Sequence, residues 1–396
     1  MNPTTFFQTT GRIVIGPGSI QGLGGEIKRL KATKVIIVTD PGLVSAGIVG
    51  RVEGILAEAG IPFAVFDKVE PDPRFEIAAD ALAFIRAEKA DLVIGIGGGS
   101  SIDIAKVAAI LATNTDPITA YFGIDLVPNP GIKTILIPTT AGTGSEVTPI
   151  AILSDHHDKL KKGIVSQYLL PACAVLDPEL TLGLPPSVTA ATGMDALIHA
   201  IEAYTSKNAT CITDMLAAQA MELLFDNLRM ACANGGNLEA RSKMLEGSLL
   251  AGMAFANAGV TAVHAFAYPI GAEFHIPHGV ANTIMLLPVM EFNLMGNLRK
   301  FADIAEIFGQ NTDGLSDRQA AQLSVDAVRE LSKDLCVPDC LSAFGVQEKD
   351  IPCLAEAAMK VTRLLANNPR NLGLKDAEMI YRKALYPKDS SDARLL

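Results

Sequence analysis

Short β-branched runs alternate with helix-period segments through the first third of the chain, and this alternation limits the fold more than any single motif. "KVIIVTD" (34–40) is a strand-like run closing on a polar turn. "SAGIVGRVEGILAEAG" (45–60) follows with helical spacing of its apolar residues and a glycine stop. "PFAVFDKV" (62–69), "DLVIGIGGG" (91–99) and "KTILIPTT" (133–140) read as further strands. The segments "RFEIAADALAFIRAEKA" (74–90) and "SIDIAKVAAILATN" (101–114) read as the helices between them. Strands joined through helices build a parallel sheet covered on both faces, so an α/β domain is expected.

Past "LPPSVTAATG" (184–193) the pattern changes to long alanine- and leucine-rich segments. Helices are expected over 195–205, 212–229, 238–257, 317–334 and 350–365, with no strand. A chain of 396 residues exceeds one ordinary core, and 49% hydrophobic against 19% charged residues supplies a large interior. Two domains follow: residues 1–185 as an α/β nucleotide-type domain and 186–396 as an all-α domain.

Charge and cysteine usage exclude several classes. A net charge of −10 leaves no basic patch to neutralise phosphates, which argues against nucleic acid or an anionic membrane as partner. Gly247 to Ala272 is a run of 26 residues without Asp, Glu, Lys or Arg, long enough to cross a bilayer. It also contains Asn257, Gly259, Thr261, His264 and Pro269, which are costly in lipid and ordinary in a buried helix pair broken near Asn257–Gly259. Of six cysteines only Cys336 and Cys340 lie close together, and nothing near them completes a zinc knuckle. Reduced thiols in a cytoplasmic protein are expected. The opening "MNPTTFFQTT" has no basic stretch followed by an apolar run, so no signal peptide is expected.

In "GIGGGSSIDIAK" (95–106) glycines stand directly between a strand and a helix start. Backbone without side chains approaches a pyrophosphate closely, and the helix N-terminus offers free N–H groups and a positive dipole end. Ser100 replaces the third glycine of the dinucleotide fingerprint, and a purely structural turn has the same composition. Asp40, closing an earlier strand, suits the ribose hydroxyls of NAD and would repel a 2′-phosphate. Asp-Pro also opens turns. "PTTAGTGSE" (138–146) supplies a second loop of hydroxyls and small residues after a strand.

A metal site needs donors that converge. "TGMDALIHAIEAY" (192–204) places Asp195 and His199 at i, i+4 on one helix face, within an apolar segment where unpaired polar groups would be expensive. His264 stands in the charge-free run. Two further histidines, His275 and His278, flank Pro277, which makes one continuous helix face through both unfavourable and leaves either open as a ligand. One carboxylate and three imidazoles would suit Fe(II) or Zn(II) with a position left for an alcohol or carbonyl oxygen.

In combination, "GGGSSIDIAK", "PTTAGTGSEVT", "TGMDALIHAIEAY" and "HAFAYPIGAEFHIPHG" resemble the iron-containing (group III) alcohol dehydrogenases, over nearly the whole chain from "GPGSI" (16–20) to "NNPRN" (367–371). The resemblance implies a Rossmann-like N-terminal domain, a helical C-terminal domain of dehydroquinate-synthase-like architecture, and an active site between them. It implies Asp195, His199, His264 and His278 as metal ligands, with His275 outside the set. The implied metal is Fe2+, with Zn2+ as the alternative. Gly97, Gly98, Gly99, Ser100 and Asp103 match the pyrophosphate turn, and Thr139, Thr140 and Ser145 the second cofactor loop. Asp40 matches the position associated with NAD, Lys161 a cofactor-contacting lysine with Lys162 adjacent, and Phe255 a pocket position. Many members carry a histidine four residues after the third ligand. Tyr268 stands there instead, on the same helix side as His264, where it either shapes the pocket or alters a proton path or substrate contact.

The activity implied is reversible hydride transfer between short primary alcohols or aldehydes, including functionalised ones, and NAD(H), by a cytoplasmic homodimer or larger homo-oligomer. Similar proteins supply alternatives: glycerol-dehydrogenase-like polyol oxidation, a dehydroquinate-synthase-like lyase, or a metal-free reductase of the maleylacetate type. The complete donor set disfavours the last. The segments around the donors lack the basic residues that a phosphorylated acid would need. An NAD-binding sensor would leave the buried Asp/His cluster unexplained.

Overall fold

The computed structural model describes residues 4–155 and 160–386. The chain divides into a unit spanning Gln8–Leu184 and a second formed by Pro185–Leu396 together with Met1–Phe7.

Among its described residues the first unit carries nine strands: β1 (Ile13–Ile15), β2 (Val35–Val38), β3 (Phe63–Phe66), β4 (Leu92–Gly97), β5 (Gly123–Ile124), β6 (Lys133–Pro138), β7 (Ile150–Asp155), β8 (Leu160–Val165) and β9 (Cys173–Leu176). Six of them form a sheet in the order β1-β9-β6-β4-β2-β3, every pair parallel. Alternation divides the central strands between two cores. Ile36, Val38 and Val93 pack with Ile102, Ala105 and Ala109 of the helix Gly99–Leu111. Val35, Ile37, Leu92 and Ile94 pack with Leu23, Ile27, Val52 and Leu56 of the helices Leu23–Leu30 and Ile48–Glu58. Burial on both faces is why these strands read as continuous apolar runs. The helix expected over 45–60 is Ile48–Glu58, and a separate short helix, Pro41–Ser45, precedes it. A smaller sheet, β5-β8-β7, contains the antiparallel pair β7–β8.

From β2 the chain steps outward to β3, then returns through β4 on the opposite side of β2 and continues to β6 and β9. The loops after β2 and β4 therefore leave the sheet in opposite senses. A doubly wound sheet receives ligands at this reversal, beyond the carboxyl ends of its strands.

The second unit is helical, with no strand among its described residues. Helices expected near 195–205, 212–229 and 238–257 are longer than their apolar periodicity suggests, at Pro186–Thr205, Cys211–Ala233 and Leu238–Ala258. The charge-free run is a buried pair, Leu238–Ala258 and Ala262–Phe274, bent by 101° at the break. No single helix among the described residues is long and apolar enough to cross a membrane. Ala262–Phe274 is the second member of the expected pair, whereas His278–Asn293 falls outside the expected set. Each carries an internal proline, Pro269 or Pro288, and neither has the polar face that reveals an amphipathic helix. Leu298–Ile307 and Leu374–Leu385 are further helices beyond that set.

Candidate metal centre and cofactor loops

Three helices of the second unit bring the donors together. Asp195 and His199 project one turn apart from Pro186–Thr205, His264 from the first turn of Ala262–Phe274, and His278 from the first residue of His278–Asn293. Ligand atoms of Asp195, His199 and His264 all lie within 4.8 Å of one another, and the three residues are buried. His278 Nε2 stands 3.9 Å from the Asp195 carboxylate, against 3.8 Å for His264 Nε2. Gly279 makes this approach possible. A Cβ there would meet the Ala191 carbonyl oxygen at 2.4 Å, so only glycine lets the start of this helix lie against the backbone carrying Asp195. The His199 ring stacks between His264 and Phe255, with centroids 4.6 and 4.3 Å away. Tyr268 meets His264 edge-on at 6.5 Å and lies 6.0 Å from His278. His275 terminates Ala262–Phe274 in the left-handed conformation and is exposed, because the helix ends before it and the next begins after Pro277.

Two polar residues of this cluster escaped the sequence reading. Asn282, one turn beyond His278 and fully buried, directs its amide nitrogen at Asp195 Oδ1 (2.7 Å), His278 Nε2 (3.1 Å) and His264 Nε2 (3.2 Å). An amide has two protons for these three acceptors. Its own Oδ1 is buried without a hydrogen-bond partner. Three acceptors for two amide protons, on one carboxylate and on imidazoles whose neutral form presents a lone pair, are the chemistry that a divalent cation satisfies, so the residues fit a metal. Glu202 is the second. It is buried one turn beyond His199, and its carboxylate binds His264 Nδ1. Burial opposes ionisation of Asp195, yet the His199, His278 and His264 imidazoles and the Asn282 amide outweigh it and hold the carboxyl below its usual range. Burial opposes ionisation of Glu202 as well, and His264 with the Thr261 and Val263 donors overrides it. Their sequence signals were present: a second carboxylate in an apolar helix, and an asparagine at i+4 from a histidine.

In the first unit, the loops after β2, β4 and β6 meet at one end of the sheet. Gly97 pairs with Pro138, and the Thr139 N–H donates to the Gly97 carbonyl at 3.0 Å. Gly97 has φ +149°, and a Cβ on it would strike the Ser101 side chain at 2.7 Å. Gly98 faces the Thr140 side chain, and Gly99 with Ser100 opens the helix Gly99–Leu111. Asp40 caps Pro41–Ser45 by accepting from the Leu43 N–H at 3.1 Å, and Ser101 Oγ stands 3.4 Å from its other oxygen.

Asp103 and Ser145 are bonded to each other, and the second Asp103 oxygen accepts the Ile152 N–H at 2.9 Å. The structure thus uses them to tie the two loops together. Lys106, the last residue of "GGGSSIDIAK" and fully buried, completes the tie by donating to Ser145 O, Ser145 Oγ and Ile150 O at 2.6 to 2.8 Å. Lys161 stands on β8 with its ammonium 2.8 Å from Asp72, and Lys162 pairs with Asp155 at 2.7 Å.

A parallel-sheet unit with a glycine turn at its reversal point, and a helical unit holding a buried Asp/His cluster, define a metal-dependent oxidoreductase class. Residues 10–178 match the model for iron-containing alcohol dehydrogenase, and 189–385 match that for the C-terminal part of the Fe-containing alcohol dehydrogenase family. The chain belongs to the iron-containing alcohol dehydrogenase family. It is 45% identical to a 1,3-propanediol dehydrogenase of Citrobacter freundii, over 93% of this chain and 96% of the relative. An NAD-dependent methanol dehydrogenase of Bacillus methanolicus is 38% identical, over 94% and 97% of the two chains. A crystal structure of 1,3-propanediol oxidoreductase superposes with a TM-score of 0.95 at 42% identity, over 97% of this chain and 100% of that one.

Proposed function

We propose that this protein is an NAD(H)- and metal-dependent dehydrogenase that interconverts short-chain, including functionalised, primary alcohols and aldehydes. The observation that carries the reading is the buried Asp195, His199 and His264, joined by the half-buried His278, around the Asn282 amide. When bound, a divalent cation, Fe2+ ahead of Zn2+, would polarise the substrate oxygen while NAD(H) carries the hydride at nicotinamide C4. Asp195, His199, His264 and His278 hold the cation. The dry walls that Phe255 and the stacked imidazoles form keep charge interactions at the donors strong. Tyr268 borders the same donors and shapes the space beside them. Gly97, Gly98, Gly99 and Ser100 receive the pyrophosphate at the start of their helix, Asp40 favours the ribose diol over a 2′-phosphate, and Thr139 and Thr140 line the neighbouring loop. Lys161 would reach the cofactor by exchanging Asp72 for it.

The relatives named for activity on a diol and on methanol support a short alcohol. The small apolar segments "TPIAI" and "AFANAG" suit the same size. A cytoplasmic homo-oligomer belongs to this reading; the six free cysteines suit a reducing compartment, and light scattering gives the oligomeric state. The direct test is His264→Ala, which should lose bound metal and turnover while still binding NADH. Undiminished turnover in that variant would sink the reading. Metal analysis of protein purified without air distinguishes iron from zinc. A panel of C2–C4 aldehydes, neutral and anionic, ranked by kcat/KM with NADH, identifies the substrate class.

A further inference from the structure

Glu202 lies seven residues beyond Asp195 on Pro186–Thr205, in the stripe that carries Asp195 and His199. Its Oε1 accepts three protons: the Thr261 N–H at 3.0 Å, the Thr261 hydroxyl at 2.7 Å and the Val263 N–H at 2.8 Å. Its Oε2 binds His264 Nδ1. Thr261 is the N-cap of Ala262–Phe274, and its side chain makes no capping bond of its own. The carboxylate of one helix thus satisfies orphan N–H groups at the start of another and grips the imidazole in that helix's first turn.

An ionised carboxylate only accepts, so the ring nitrogen facing it must carry a proton. In the neutral ring, the form that binds a metal, His264 Nε2 is then left with its lone pair outward. On that side stand the Asn282 amide, a donor, at 3.2 Å and Asp195 at 3.8 Å. Donor and acceptor roles agree from both ends of the ring. We propose that Glu202 is a positioning residue that sets His264 as its Nδ1–H tautomer and aims Nε2 at the metal, while pegging the His264 helix to the helix of Asp195 and His199. This rests on the metal-centre reading above.

Glutamine tests it by shape. Glu202→Gln keeps the length but has one acceptor oxygen for donors now facing two atoms. If its oxygen keeps Thr261 and Val263, its NH2 faces Nδ1 and selects the opposite tautomer. If the amide turns over, its NH2 confronts two backbone N–H groups.

Zinc affinity by chelator competition, with NADH binding as the check on folding, should fall about 10- to 100-fold in Glu202→Gln, as when other partners behind a ligating histidine are removed. Glu202→Asp, which remains acceptor-only, should recover much of that loss. Zinc-loaded wild type, labelled with 15N in histidine, should show His264 protonated at Nδ1 and metal-bearing at Nε2. Affinity in Glu202→Gln equal to wild type, while His264→Ala is weak, would overturn this inference and leave the metal centre standing. Equal affinity in wild type and His264→Ala would overturn both. Should Glu202→Gln fail to fold, the nitrogen spectrum of wild type decides alone: zinc on Nδ1 of His264 refutes the proposal.

Discussion

Glu146 offers a quantitative test of how the cofactor loops are built. It ends "PTTAGTGSE", is buried, and has Oε1 without a hydrogen-bond partner; burial pushes its carboxyl up to about 7, with its backbone hydrogen bond and Lys106 opposing only in part. In the unfolded chain the same group titrates near 4.5. Between those values the native state holds a proton that the unfolded state has released. Stability is therefore fully present below the unfolded value and is lost as pH rises toward the folded one. At about 1.4 kcal/mol per unit, raising the pH from about 5 to about 7.5 removes roughly 2 to 3 kcal/mol through this group alone. Glu146→Gln keeps the shape and cannot ionise, so its stability should lack that component of the decline. Calorimetric unfolding of both proteins across this range measures the difference of slopes, which removes contributions from every other titrating group. The variant should be the more stable protein at the alkaline end by that margin. Parallel profiles for the two proteins would refute the reasoning, since they would mean that Glu146 is solvated or paired in the native state.

Gly279→Ala should displace the start of its helix from Ala191 and lower bound metal at least tenfold, measured by metal analysis after dialysis, with the helical circular dichroism retained. Lys106→Met leaves Asp103 buried without its cation, and chemical denaturation should show a loss of about 3 to 5 kcal/mol. Gly97→Ala forces a side chain into a positive-φ position against Ser101; fluorescence titration should show NADH affinity weakened by about tenfold or more, with metal content unchanged.

Legibility followed periodicity. The strands β2, β4 and β6 are short β-branched runs between polar or glycine stops, and both faces are buried, so their sequence states their role. Asp195 and His199 were legible because two polar residues at helical spacing in an apolar segment must be accounted for. His278–Asn293 was not, since near-complete burial removes the polar stripe that marks a helix and Pro288 stands inside it. The choice between His275 and His278 depended on where one helix stops and another starts, which spacing left open. Asp103, Ser145 and Lys106 read as parts of cofactor motifs, yet in the fold they bind one another across the two loops.

By itself, then, the sequence determined the α/β first unit, the glycine turn at its reversal point, the helical second unit and the donor types available for a metal. Those properties depend on residue type and on distances of a few residues along the chain. Only the tertiary structure decided that Glu202 stands behind His264, that Asn282 lies among three donors, and that Glu146 is sealed in the interior. Each of those depends on contacts between separate helices, strands or loops, where close approach at a single glycine such as Gly279 determines which side chains meet.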